Sequence, residues 1–150
     1  MITIKELKAG LIKVLKDELN STDYKIYSGL EVIEGYKKPS FFTHLELLDM
    51  NLENKSTKHY SFMFLIDYFQ PEVDEIDMLD KADLITSIYS NGFKVKDRFI
   101  LPTDISTALI GSDKNILEVE IDFDFYQETN IKDAFDLMEE FELSIDESDE

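Results

Sequence analysis

The sequence predicts an α+β fold: a mixed or antiparallel sheet of about five to six strands, with an N-terminal helix and a central helix packed on it, then a short C-terminal helix and an acidic tail. Three observations predict it. Residues 3–19 and 73–90 carry apolar side chains at helical spacing, residues 115–126 alternate with period two, and residues 59–69 form a nearly continuous apolar run. At 150 residues the chain suits one domain, and its 43% hydrophobic content supports a core without disulfide or metal. The domain is placed at 1–143, with 144–150 as a flexible acidic tail.

The first helix begins at a capping box, Thr3 with Glu6, in which each side chain satisfies an orphan backbone N–H. Ile4, Leu7, Leu11, Leu15 and Leu19 form its apolar stripe, and Lys5, Lys8, Lys13 and Lys16 lie mostly off it. A first strand is expected over 24–33, with Gly29 as a bend and Glu34-Gly35 turning the chain. Pro39 holds Lys38 extended, and a second strand follows over 40–48. Residues 49–58 are polar and read as a turn.

The run HYSFMFLIDYF sets Tyr60, Phe62, Phe64, Ile66 and Tyr68 on one face and Met63, Leu65 and Phe69 on the other. A strand apolar on both faces is expected in the centre of a sheet, covered by helices or by a neighbouring subunit. In the second helix Met78, Ala82, Ile85 and Tyr89 make the stripe, the dipole favours Asp74, Glu75 and Asp77 at the start, and Asn91-Gly92 ends it. Strands are expected over 93–101 and 104–110 around Pro102, with a turn at Gly111-Ser112-Asp113-Lys114. The last strand turns Leu117, Val119, Ile121, Phe123 and Phe125 inward and Glu118, Glu120, Asp122 and Asp124 outward. Ile131, Ala134, Phe135, Met138 and Phe141 predict a third helix over 130–141.

Charge narrows the function. Lys+Arg 15 against Asp+Glu 33 gives −18, which opposes binding to phosphate backbones and anionic membranes. Half of that charge lies in residues 128–150, where ten acids face one base, Lys132. The start of the chain does not read as a secretory signal, and no stretch approaches the ~20 apolar residues of a membrane span. There is no cysteine, so thiolate chemistry and disulfides are excluded.

No catalytic kit is legible, and the chain reads as a non-enzyme without cofactor. Gly111–Lys114 lacks the second glycine and the Ser/Thr of a phosphate loop, and no G-x-S-x-G elbow occurs. His44 and His59 have no companion at metal-ligand spacing, so no metal site is assigned. The row Glu118, Glu120, Asp122, Asp124 is the candidate interaction face. Four carboxylates suit a hard cation or acid–base chemistry, but alternate strand residues stand ~7 Å apart, too far to chelate unaided. The plainer reading is a solvated face, or one paired with Lys94, Lys96 and Arg98 on an adjacent strand. The acidic end likewise reads as a solubilising tail or as a docking arm for a basic partner.

The segment YKIYSGLEVIEGYKKPSFF, residues 24–42, resembles the tail terminators of contractile-tailed phages and of defective prophages of Gram-positive bacteria. The matching residues are Lys25, Ile26, Tyr27, Glu31, Gly35, Tyr36, Pro39, Phe41 and Phe42. IDYF at 66–69, Met78-Leu79, the strand ILEVEIDFDFY and Leu137-Met138-Glu139-Glu140 continue it. Gln70 before Pro71 and Glu34 before Gly35 depart from the pattern. The resemblance implies a homohexameric ring in the virion tail, assembled in the host cytoplasm. Such a ring caps the head-proximal end of the tail tube, stops tube and sheath polymerisation, and meets the neck connector for head–tail joining. Its partners would be other copies of itself, the tube protein, the sheath protein and the neck. DNA would pass through without specific binding, past a negative lumen for which the 118–124 row and the acidic end are candidates. The alternative is an acidic inhibitor or DNA mimic that occupies the phosphate-binding groove of a basic partner.

Overall fold

The computed structural model describes residues 2–19, 24–29, 35 and 39–128. The expected helix over 130–141, the acidic tail, residues 30–33 of the first strand and Tyr36 lie outside the described residues. Helix α1 spans Ile4–Leu19 and strand β1 Lys25–Ser28. Strands β2 (Ser40–Asn54) and β3 (Thr57–Phe69) form a long hairpin, followed by helix α2 (Glu75–Ser90). A small hairpin, β4 (Phe93–Val95) and β5 (Arg98–Ile100), leads to β6 (Pro102–Ile110) and β7 (Ile116–Glu128).

Five strands make one mixed sheet in the order β1-β2-β3-β7-β6, and β4-β5 make a second. Only β1–β2 is parallel; β2–β3, β3–β7 and β6–β7 are antiparallel. The apolar run of β3 therefore sits in the centre, as its composition requires. Its two faces differ, however. Phe62, Phe64, Ile66 and Tyr68 are buried under the helices, while Met63, Leu65, Asp67 and Phe69 are only half-buried.

The core lies between this sheet and a layer of helices. Leu7, Leu11, Leu15 and Leu19 of α1 and Met78, Ile85 and Tyr89 of α2 are buried, with Val119, Ile121 and Phe123 of β7 facing them. Burial of this apolar set stabilises the fold by roughly 1.5–3 kcal/mol for each large side chain. The Tyr89 hydroxyl donates to the Leu11 carbonyl at 2.8 Å and ties the two helices together inside the core. Tyr89→Phe is expected to lower stability by about 1 kcal/mol, read by urea denaturation with an unchanged slope.

Both helix starts follow local chemistry. In α1 the Thr3 hydroxyl accepts from the Glu6 amide at 3.1 Å. In α2 Asp74 is the N-cap and accepts from the amides of Ile76 and Asp77. Gln70 ties the cap to β3: its side-chain amide donates to the Asp74 carbonyl and to the Asp77 carboxylate, both at 2.8 Å. The residue inserted before Pro71 thus has a structural role. Asp74→Ala is expected to cost about 1 kcal/mol, read as a lower melting temperature with native circular dichroism at 25 °C.

Two local expectations are corrected. Residues 49–58 are not a turn. The strands run on through them, with a register shift between Leu47 and Asp49 and a tight connection at Lys55-Ser56. Cross-strand pairing with β3 outweighs the weak strand propensity of Asp and Asn here. Residues 93–101 are not one strand but a two-residue hairpin, in which Lys96 adopts φ 56°. Its apolar side chains Phe93, Val95 and Ile100 turn into the core. Phe93 meets Phe123 edge-on at 5.4 Å, which anchors the hairpin on the helix side of the sheet.

Candidate functional site

The half-buried face of the sheet, opposite the helices, carries the acidic row. Glu118, Glu120, Asp122 and Asp124 alternate with the buried Leu117, Val119, Ile121 and Phe123 along β7. The topology then adds acids that the linear pattern did not show. Register pairs Asp67 of β3 with Glu118 and Asp104 of β6 with Asp122. Glu46 of β2 pairs with Met63, which in turn faces Asp122. Residues directly opposite in adjacent strands share a face, so Glu46, Asp67 and Asp104 lie on the same side of the sheet as the β7 row.

Of the two plainer readings, pairing with Lys94, Lys96 and Arg98 on an adjacent strand is overturned. β7 lies between β3 and β6, and those cations belong to the small hairpin on the helix side. Lys96 pairs with Glu6 of α1, and the Arg98 guanidinium lies 4.9 Å from the centroid of Phe125, a buried-face residue. Among the described residues, two histidines stand next to acids on this face. His59 Nε2 lies 2.9 Å from Asp124 Oδ2, its ring stacked on Tyr126 at 4.5 Å, and His44 stands 4.0 Å from Glu46.

Burial and neighbouring like charges raise two of these carboxyls. Asp67 is pushed up to about 7, first by burial and then by the hydrogen bond and charge of Glu118 across the strand. Glu120 is also raised, by burial and by Asp122, Glu118 and Asp104. One Asp67 oxygen and one Asp122 oxygen are enclosed with no hydrogen-bond partner among the described residues. The face is therefore an electrostatically strained surface. Among the described residues no group of three or more His, Cys, Asp or Glu is placed to hold a metal ion.

The segment around residues 24–42 plays a packing role where it is described. Gly35 has φ 79°, a conformation that favours glycine. The Pro39 carbonyl accepts from the Lys25 amide at 3.3 Å and starts the parallel β1–β2 pairing. Phe41 is buried and stacks on Tyr68 at 4.8 Å, while Phe42 stacks on Tyr27 at 4.9 Å on the other face. These residues hold the first strand to the hairpin. They do not approach the acidic row's centre at Glu120, which pairs with Leu65 and Ser106.

The missed members of the face had one legible signal. Asp67 is the single charge inside the apolar stretch 60–69, where a carboxylate is costly unless it faces solvent or a partner. Glu46 and Asp104 had none, because only strand register brings them there.

The fold is a two-layer α+β domain with a carboxylate-lined sheet face. The comparisons give the class. The model of a family described as phage tail terminator protein matches residues 6–134. The chain belongs to that family, whose members are structural proteins of the phage tail. No curated protein matches it. Among solved structures, one without a functional name is similar with TM-score 0.51 and 10% identity, over 87% of this chain and 98% of that one. A chain from the "Virion of native gene transfer agent (GTA) particle" gives TM-score 0.43 and 10% identity, over 83% of this chain and 90% of that one.

Proposed function

We propose that this protein forms a homohexameric ring on the head-proximal end of a phage tail tube. There it stops growth of the tube, and of the sheath in a contractile tail, and offers the neck a surface for head joining. The family match over residues 6–134 carries this reading. The acidic face supports the second half of it. A conduit for DNA works best when its wall repels phosphates, and Glu118, Glu120, Asp122 and Asp124, with Asp67 and Asp104, provide such a wall on one side of the sheet. The proposed lumen is this face, and the helix layer lies away from it.

The test is a tail preparation from phage in which the gene is disrupted. Tubes of uncontrolled length that join no heads are expected, and adding the purified protein to growing tubes should arrest their elongation. Tubes of normal length that accept heads without the protein would refute the cap. An acidic inhibitor would instead give a salt-sensitive complex with a basic protein and leave tails unaffected.

A further inference from the structure

Among the described residues the sheet has two edges without an outer strand, and they match each other. β1 pairs with β2 only over Ser40–Thr43, so the stretch from His44 to Asn54 has no outer strand among the described residues. At the other side β6, Pro102–Ile110, pairs only with β7 among the described residues. Long free edges recruit other strands unless something blocks them.

Both edges carry exposed apolar side chains on the same face of the sheet. On β2, Leu47, Met50 and Leu52 stand opposite Phe62, Tyr60 and Lys58, which places them on the helix side but beyond the helices' cover. Leu52 is 69% exposed. On β6, Leu109 stands opposite the buried Leu117, also on the helix side. An apolar groove of about 240 Å³ runs there between β6 and α2, lined by Met78, Leu79, Ala82 and Leu109, among others, with Leu79 itself 62% exposed.

Strand direction also fits. From β2 to β6 the strands alternate strictly: β2 antiparallel to β3, β3 to β7, and β7 to β6. A rotation about an axis near the strand direction leaves directions unchanged. The β2 of a second copy placed beside β6 is then antiparallel to it, the pairing the sheet already uses. The free stretches are each about 30 Å long or slightly more. Their levels on β7 overlap near Glu120–Phe123 and are otherwise staggered, and tilted strands that close into a barrel need a stagger.

We infer that the free edge of β2 in one copy adds to β6 of the next, with Leu47, Met50 and Leu52 packing into the α2–β6 groove, so that the sheet continues from copy to copy. This rests on the ring reading and specifies its joint. The contact is heterologous: one edge meets a different edge, so it propagates and closes only when the ring is complete. A continued sheet also continues the acidic face from subunit to subunit. The occupant is a second copy because both halves of the contact lie on this one chain.

The native chain contains no cysteine, so placed thiols report the joint cleanly. Met50→Cys and Thr107→Cys, alone and combined, are treated with a short bis-maleimide whose reach tolerates a register step. The double variant is expected to give a ladder of covalent multimers ending at the closed ring. Each single variant should give only background, and the 1:1 mixture of the two singles a covalent dimer. Dimers from Met50→Cys alone would show a symmetric β2–β2 contact and overturn the inference. So would the absence of any intersubunit product from the double variant under conditions where light scattering shows multimers, or on capped tubes. Melting curves for each variant confirm the fold, since both positions are exposed. Failure of this joint leaves the tube-length test untouched, so the two readings fall separately.

Discussion

Replacing Glu118, Glu120, Asp122 and Asp124 together by Lys is expected to leave tails intact in shape and to lower infectivity by orders of magnitude. The four side chains project from the half-buried face and the core residues alternate with them, so the helix-side packing is not touched. The change reverses four charges and swings the face by about eight units per subunit, and six subunits multiply it. Each Lys that pairs with a phosphate releases a counterion, and several such contacts bind DNA strongly at low salt and weakly at high salt. DNA should then stall at the cap. In-vitro ejection followed by nuclease digestion reads this directly, and raising the salt should partly restore release. The neutral set of Gln and Asn replacements should fall between wild type and the Lys variant. Wild-type titres from morphologically normal Lys-variant particles would show that this face does not border the DNA path.

Asp67→Asn is expected to stabilise the protein by about 2 kcal/mol at pH 8, after allowance for solvent screening over its exposed part, and by nearly nothing at pH 4. An aspartate in an unfolded chain titrates near 3.8, whereas burial and Glu118 raise it to about 7 in the fold. Between those values the folded state holds a proton that the unfolded state does not. The native protein therefore loses stability as pH rises through that window, and the loss is complete above about pH 7. Asn carries no charge and can donate to the Glu118 carboxylate, so the variant escapes the loss. Urea denaturation of both proteins from pH 4 to pH 8 measures the difference. A constant difference across that range would mean that Asp67 is ionised normally. Rings that place these faces side by side would sharpen the same dependence, because more carboxylates then share one space.

Much of the fold was legible because its elements announce themselves locally. The leucine stripe of α1, the Thr3 cap at its start and the alternation of β7 each depend on residues within a turn or two of one another. The errors fell where pairing decides. Residues 49–54 look like a turn by composition, yet they are strand because β3 lies beside them. Lys94, Lys96 and Arg98 look like partners for the acidic row, yet the short hairpin at Lys96-Asp97 sends them to the other layer.

The candidate face divides in the same way. The sequence by itself determined that Glu118, Glu120, Asp122 and Asp124 share one face of a strand, because side chains alternate along any strand. It also determined the acidity that sets this protein against binding DNA. Only the tertiary structure decided what lies beside that row. Asp67, Glu46 and Asp104 come from three other strands, and their approach depends on strand order and register. Those are set by which apolar faces pack under the helices, a property of the whole sheet that no single segment carries.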